Sequence, residues 1–315
     1  MNNFAGIFFV LLFVMLSAVN GVYMSAFLMK IDVFVILSCV FFLIALFFNI
    51  FTYITRDRAN HGFARDVRLY LGLSNITTAA NWISFYFAIK HIEPAISATL
   101  INSILPLVTI FIAGKMLDKN KINLGELLTS LALLTAMLVT IWVVFSGKSG
   151  RAALNSTSYL IGISMSLFCG ISMALNTVVA KKLNSLKVSP STIMSHRFYL
   201  LILIAILNVD HATFIGGVAN HYQIIVLFTI IGNLIPLFSL QLGIKRLNPV
   251  TVSFINTLGP ITHFLIQILS GLYAFSAQTL SAILVTTIVI FAGVFYSSRQ
   301  NGPVVPDPKS LVKAH

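Results

Sequence analysis

About ten stretches of roughly twenty apolar residues fill this chain, and each is long enough to cross a hydrocarbon layer. They fall at about 4–28, 32–54, 68–89, 93–114, 124–146, 157–180, 190–209, 221–243, 249–273 and 277–297. In lipid a backbone amide finds no water, so a run of this length has to bond its own N–H and C=O groups as a helix. The expected fold class is therefore an all-α integral membrane protein with about ten transmembrane helices. Composition agrees. The chain is 58% hydrophobic and only 9% charged, against about 25% charged in a soluble domain. No single water-soluble core could bury so much apolar surface. The opening MNNFAGIFF has no basic n-region and reads as a retained first helix rather than a signal peptide. Residues 299–315 are polar and proline-rich and predict a disordered cytoplasmic tail.

A formal net charge of +12 raises the question of nucleic acid. The basic residues form no stripes with aromatics; they sit at the ends of the apolar runs, where they orient a membrane protein. With the N-terminus inside, the inner loops and tail carry 15 of the 20 Lys and Arg residues. The outer loops carry four, Lys30, Lys90, Lys148 and Arg151, and Arg197 lies within a run. This asymmetry predicts a multi-pass plasma membrane protein, of the bacterial inner membrane type, with both termini cytoplasmic. Its expected partners are the lipid bilayer and a small-molecule substrate, not nucleic acid, and a homodimer is compatible with such a chain. Cys39 and Cys169 fall inside apolar runs and read as buried small hydrophobes.

The stretch AIKHIEPAISATLINSILP, from Ala88 to Pro106, returns as GIKRLNPVTVSFINTLGP from Gly243 to Pro260, one residue shorter. Lys90, Pro94, Asn102 and Pro106 thus recur as Lys245, Pro249, Asn256 and Pro260. Gly6, Ala18 and Asn20 of the first run recur at identical spacing as Gly162, Ala174 and Asn176 of the sixth. Chance likeness among apolar helices is the competing reading, and two matches in the same order argue against it. Five runs form each copy. Because five is odd, the second copy enters the membrane in the opposite sense, which defines two inverted five-helix repeats, 1–150 and 151–298. Such pairs place a substrate site near the midplane between the halves.

These elements resemble the drug/metabolite transporter superfamily, in its EamA-type branch. The small-x-Lys elements with their prolines (Ala88, Lys90, Pro94; Gly243, Lys245, Pro249), the small-x-Asn elements (Ala18–Asn20; Ala174–Asn176) and the pair Arg197-Phe198 carry the likeness. The resemblance covers nearly the whole chain and implies ten helices in two halves and transport of small metabolites, with export the usual direction. The chain departs from the family pattern at several positions. Leu105 and Gly259 stand where many relatives have Glu before the helix prolines. The second run begins Asp32-Val33-Phe34, without an Arg-Phe pair. Gly114-Lys115 and Gly271-Leu272 replace a terminal Gly-Glu.

Ionisable groups inside a membrane are costly and mark function by default. All eight acids (Asp32, Asp57, Asp66, Glu93, Asp118, Glu126, Asp210, Asp307) lie in loops, in the tail or near run ends. A buried carboxylate relay for protons is thus not expected; facilitated diffusion or a histidine relay fits better. Arg197, about seven residues beyond Pro190, is either an anchor for a substrate carboxylate or phosphate, or an arginine snorkelling to the interface. His196 beside it points elsewhere. His263 follows Pro260, and Gln267 one turn on shares its face; together they bind substrate or protons, or bond between helices. The amides Asn20, Asn102, Asn176, Gln241 and Asn256 are candidate substrate contacts, with interhelical bonding as the alternative. Asn81 and Asn233 are further intramembrane amides. Pro106 and Pro260 are candidate gating points, or static bends. Trp82 and Tyr86 share a helix face and could offer an aromatic platform, or form part of an interfacial belt.

No HExxH helix, GxxxxGK[ST] loop or GxSxG elbow occurs, so the sequence predicts neither an enzyme nor a cofactor or metal site, and no ATP-driven pump. The leading expectation is a secondary transporter or facilitator for an amino acid or related compound, exporting by alternating access. The alternative within transport is uptake of an organic anion or vitamin-like nutrient with Arg197 as anchor. A membrane lipid enzyme would need a polar catalytic cluster at one interface. A receptor or structural subunit would need no inverted repeat.

Overall fold

A computed structural model describes residues 2–55, 64–117, 124–150 and 155–300, with side chains except at 2, 290, 291 and 293–300. Arg56, Asp57, Arg58, Asp118, Lys119, Lys121, Arg151, Asp307, Lys309, Lys313 and tail residues 301–315 lie outside the described residues. All described segments are helical: α1 Asn2–Phe27, α2 Val33–Ile54, α3 Arg65–His91, α4 Pro94–Met116, α5 Leu124–Phe145, α6 Ser156–Ser185 and α7 Pro190–His196. They continue as α8 Tyr199–Leu207, α9 His211–Leu227, a π-helical turn Phe228–Leu234, α10 Ile235–Arg246, α11 Pro249–Asn256, α12 Gly259–Ser270 and α13 Ala277–Gln300.

Among the described residues, eight candidate spans are long and apolar enough to cross a membrane. The other two expected runs are helices as well. Helix α3 carries Ser74, Asn75, Thr77, Thr78, Asn81 and Ser84 along its middle, which lower its apolar content, and the described apolar part of α13 is Ala277–Val289. The protein is thus an all-helical integral membrane protein.

Local chemistry sets the ends. Proline at the first position opens α4, α7 and α11, where a missing N–H costs nothing. Asp32, Asn155, Ser189, Asp210 and Asn248 cap α2, α6, α7, α9 and α11 through side-chain oxygens that accept backbone N–H groups.

Three runs differ from the expected ones. The seventh breaks at Arg197–Phe198, between α7 and α8. The ninth breaks at Thr257–Leu258, because the ring of Pro260 would strike the carbonyl of Asn256 four residues back. At the repeat-matched Pro106, α4 continues unbroken. The eighth starts at His211, well before residue 221, because the Asp210 cap extends the helix through polar residues that blur the apolar pattern. It then widens into the π turn just ahead of Pro236, which has no N–H for the carbonyl of Gly232. The Asn233 side chain donates to the Phe228 carbonyl at 2.9 Å within that turn. The first two residues of the expected tail belong to α13.

Helices α3 and α4 pack on α6, α1 on α10, and α13 on α5. Lipid gives no hydrophobic drive for such contacts, so close approach over small residues carries them. These contacts come in matched pairs. Gly6 lies against Leu247, where an added Cβ would stand 2.8 Å from its side chain. Gly162, which matches Gly6 in sequence, lies against Ile92, which matches Leu247. Ser25 Oγ donates to the Ile89 carbonyl, and Lys181 Nζ donates to the matched Ile244 carbonyl at 3.0 Å. Gly6 and Lys181 lie at the end of the bundle where α1 begins; Gly162 and Ser25 lie at the other, the Lys30 end.

The Lys30 end is tied together by a buried carboxylate. Glu93, 1% exposed, precedes α4. Its Oε1 accepts from Gln267 Nε2 at 2.8 Å, and its Oε2 accepts from Gly150 N at 2.8 Å and Thr279 Oγ1 at 3.2 Å. Four segments thus meet on one side chain. Glu93→Gln must set an NH2 group against at least one donor, leaving buried polar atoms unpaired at about 1–3 kcal/mol. The expected result is a lower melting temperature in detergent; an unchanged one would show that these bonds contribute little.

Candidate functional site

Polar residues in apolar helices have to face protein or water, and most of those here converge. A cavity of about 90 Å³ lies in the middle of the bundle. Asn20 of α1, Asn81, Trp82 and Phe85 of α3, Asn102 of α4 and Asn176 of α6 line it. Arg197 from the α7–α8 break, Gly232 of the π turn, Asn256 of α11 and His263 of α12 complete the polar ring. No acid lines it among the described residues. Its volume is well below the roughly 300–1,000 Å³ of ligand pockets, so helices must part to admit a metabolite.

Arg197 is 3% exposed and does not snorkel to an interface. As the residue that ends α7, it sits in a break between two helices, and its side chain turns into the bundle. Nε donates to Thr78 Oγ1 at 3.1 Å, and Thr78 donates in turn, at a longer 3.5 Å, to Asn176 Oδ1. Its guanidinium carbon stands 5.4 Å from the centroid of the Phe198 ring. Around it, Phe41 packs on Phe198 at 5.2 Å and on Trp82 at 4.8 Å. No ion pair to Arg197 exists among the described residues. His196 points away and bonds locally, its Nδ1 2.7 Å from Ser195 Oγ.

Several cavity residues carry buried polar atoms with no hydrogen-bond partner among the described residues. These are Asn20 Oδ1, Trp82 Nε1, Asn102 Oδ1, both amide atoms of Asn256, and His263 Nε2. Each such atom costs roughly 1–3 kcal/mol if left dry. Their convergence on one cavity means that water or a bound polar molecule satisfies them. His263 is oriented by its other nitrogen, Nδ1, 2.8 Å from the Gly259 carbonyl. Asn102 and Asn256 are also the residues whose carbonyls Pro106 and Pro260 cannot serve.

Three expected contacts lie outside this lining. Gln267 shares a helix with His263, but its amide is spent on Glu93 and on Ala95 N, at 2.6 Å from the latter. Tyr86 is fully buried behind Trp82, ring centroids 5.8 Å apart and edge-on. Gln241 of α10 is fully buried away from the cavity, with neither amide atom partnered. Pro106 and Pro260 stand beside the lining rather than in it. The structure adds residues the sequence did not single out. Phe85 stands edge-on to Trp82, centroids 5.7 Å apart, and extends the aromatic wall. Cys169 donates to Asn81 Oδ1 at 3.3 Å and lines the cavity. Thr78 links Arg197 to Asn176.

Gly21 is a further addition. A Cβ there would stand 2.8 Å from His263 Nε2, so the glycine makes room for the ring. Gly21→Ala is expected to push the imidazole aside and lower transport by as much as His263→Ala. Combined, the two should lower it no further, because one acts through the other. Fully additive losses in a liposome flux assay would separate them.

No curated protein matches this sequence. Twenty-one chains of solved structures match the fold. One, described only as a crystal structure of a protein, aligns over 98% of this chain and 98% of its own at a TM-score of 0.63 and 15% identity, a likeness of fold. Residues 4–142 match the model of the EamA-like transporter family. Over those residues, which supply helices around the central polar cavity, the chain is similar to that family of membrane transporters of small molecules.

Proposed function

We propose that this protein is a secondary transporter or facilitator for a small carboxylate-bearing metabolite, an amino acid or related organic acid, working by alternating access. One observation carries the reading: Arg197 lines the central cavity with no acid beside it among the described lining residues. A buried guanidinium left uncompensated by protein is matched best by an anionic group on the ligand. Asn20, Asn102, Asn176, Asn256 and His263 would bond the rest of the molecule, and Trp82 would face an apolar or aromatic part.

The halves 1–150 and 151–298 rock about this site, with Pro106 and Pro260 beside it as the points of bending. The loop charges support cytoplasmic termini in a plasma membrane of the bacterial inner membrane type, and the family resemblance supports export. The uncompensated arginine equally favours a second reading, uptake of an organic anion.

Counterflow into liposomes with a panel of anionic, neutral and cationic metabolites tests the proposal. Carboxylates should exchange fastest. Preference for cations, or no flux above empty liposomes together with a lipid product, would overturn it. Repeating the assay with and without a proton gradient distinguishes coupling from facilitated diffusion.

A further inference from the structure

A second groove, of about 530 Å³, runs along the bundle surface between α1 and the α9–π segment. On α1, Leu16, Val19, Tyr23 and Phe27 line it at three- and four-residue spacing, on one helix face. Leu227 and Ile231 face them. Leu16 lies at one end, and one turn in from it stand Asn20 and Gly232, which also line the central cavity. Gly232 packs directly against the Asn20 amide, so this contact is the wall between the two spaces. At the other end stands Lys30, exposed and in no ion pair among the described residues.

Length and charge identify the occupant. From Leu16 to Lys30 is about 21 Å at 1.5 Å per residue, half of a bilayer about 40–45 Å thick with its headgroups. The groove is therefore one leaflet deep. Between its ends the α1 side chains are apolar apart from Asn20 and Tyr23, as an extended hydrocarbon chain requires. A cation stands where the headgroup of such a chain would lie. We propose that the groove binds one acyl chain of an anionic phospholipid, its phosphate on Lys30 and its chain running past the Asn20–Gly232 wall to end near Leu16. The lipid then seals the central cavity from the bilayer at its thinnest point. This site rests on the membrane placement of the helices and not on the transport reading.

The test uses the full-length protein in vesicles containing phosphatidylglycerol with a photoactivatable diazirine at the acyl terminus, adducts being mapped by mass spectrometry. Leu131 and Leu138, exposed near the middle of α5, serve as the depth-matched reference. Adducts on Leu16 and Val19 should exceed those on the reference residues by about fivefold, the order of preference one lysine near an anionic headgroup confers. Lys30→Gln should bring the ratio close to one, and Lys30 is exposed enough for the fold to tolerate it. Equal labelling of the two helices, or a ratio indifferent to Lys30→Gln, would overturn the proposal. So would labelling of Leu16 and Val19 that falls as the protein-to-lipid ratio rises, which would mark a second copy as the occupant. Flux plays no part in this readout, so the lipid site can fail while the transport reading stands, and the reverse.

Discussion

Replacing Arg197 by Gln is expected to weaken binding of a carboxylate substrate by roughly ten- to a hundredfold, the loss of a charge-assisted hydrogen bond of about 1.5–3 kcal/mol. The fold should not weaken with it. Arg197 is bonded to Thr78, which Gln can still serve, and forms no ion pair among the described residues, so no opposite charge is stranded. A buried guanidinium also carries a desolvation cost that Gln removes. Thermal stability in detergent should therefore hold or rise while substrate affinity falls. Lys in its place keeps the charge but loses the planar fork, and should give an intermediate affinity. A structural arginine would show the opposite pattern, a less stable protein with unaltered affinity. Isothermal titration of the purified protein, alongside its melting curve, separates the two outcomes.

A large loss of stability is expected at Gly170. Here α6 crosses α4 so closely that an added Cβ would meet the Ile104 side chain and stand 2.7 Å from the Ile101 carbonyl oxygen. A side chain can swing away, but a helix carbonyl moves only with its helix. Gly170→Ala should cost about 1–3 kcal/mol, and Gly170→Val more. The melting temperature of the detergent-extracted protein should drop by several degrees for Ala, and little folded protein should be recovered for Val. The same change at Gly72 or Gly216 meets nothing within 4 Å. Both lie inside helices, where Ala is favoured over Gly by about 1 kcal/mol, so these variants should be neutral or slightly stabilised. A Gly170→Ala protein as stable as Gly72→Ala would show that the crossing is looser than described.

The sequence made the outline of the fold and part of the site legible, for one physical reason. An amide or guanidinium in an apolar helix has few places to go, so Asn20, Asn102, Asn176, Arg197, Asn256 and His263 could be expected to share an interior, and they do. The reasoning failed where a partner from another segment decided the matter. Gln267 stands one turn from His263, yet Glu93, remote in sequence, takes its amide. Glu93 itself stands at the end of an apolar run, where the sequence predicts an exposed position; its burial depends on Gly150 and Thr279. Helix breaks were also only half legible. Pro106 and Pro260 are matched in sequence, but the chain parts only near Pro260. The π turn had a signal in Pro236, whose missing N–H unsettles the turn before it, although nothing local chooses between a kink and a widened turn.

The paired contacts of Gly6 with Leu247 and Gly162 with Ile92 have a thermodynamic meaning for a carrier. A protein that opens alternately at two ends needs two conformers of nearly equal free energy, since each 1.4 kcal/mol of imbalance leaves one of them tenfold rarer. Two unrelated closures would have to be tuned to one another. Under the proposed alternating access between two repeats, a second closure that copies the first shares its balance by descent, and divergence at either copy sets the resting orientation.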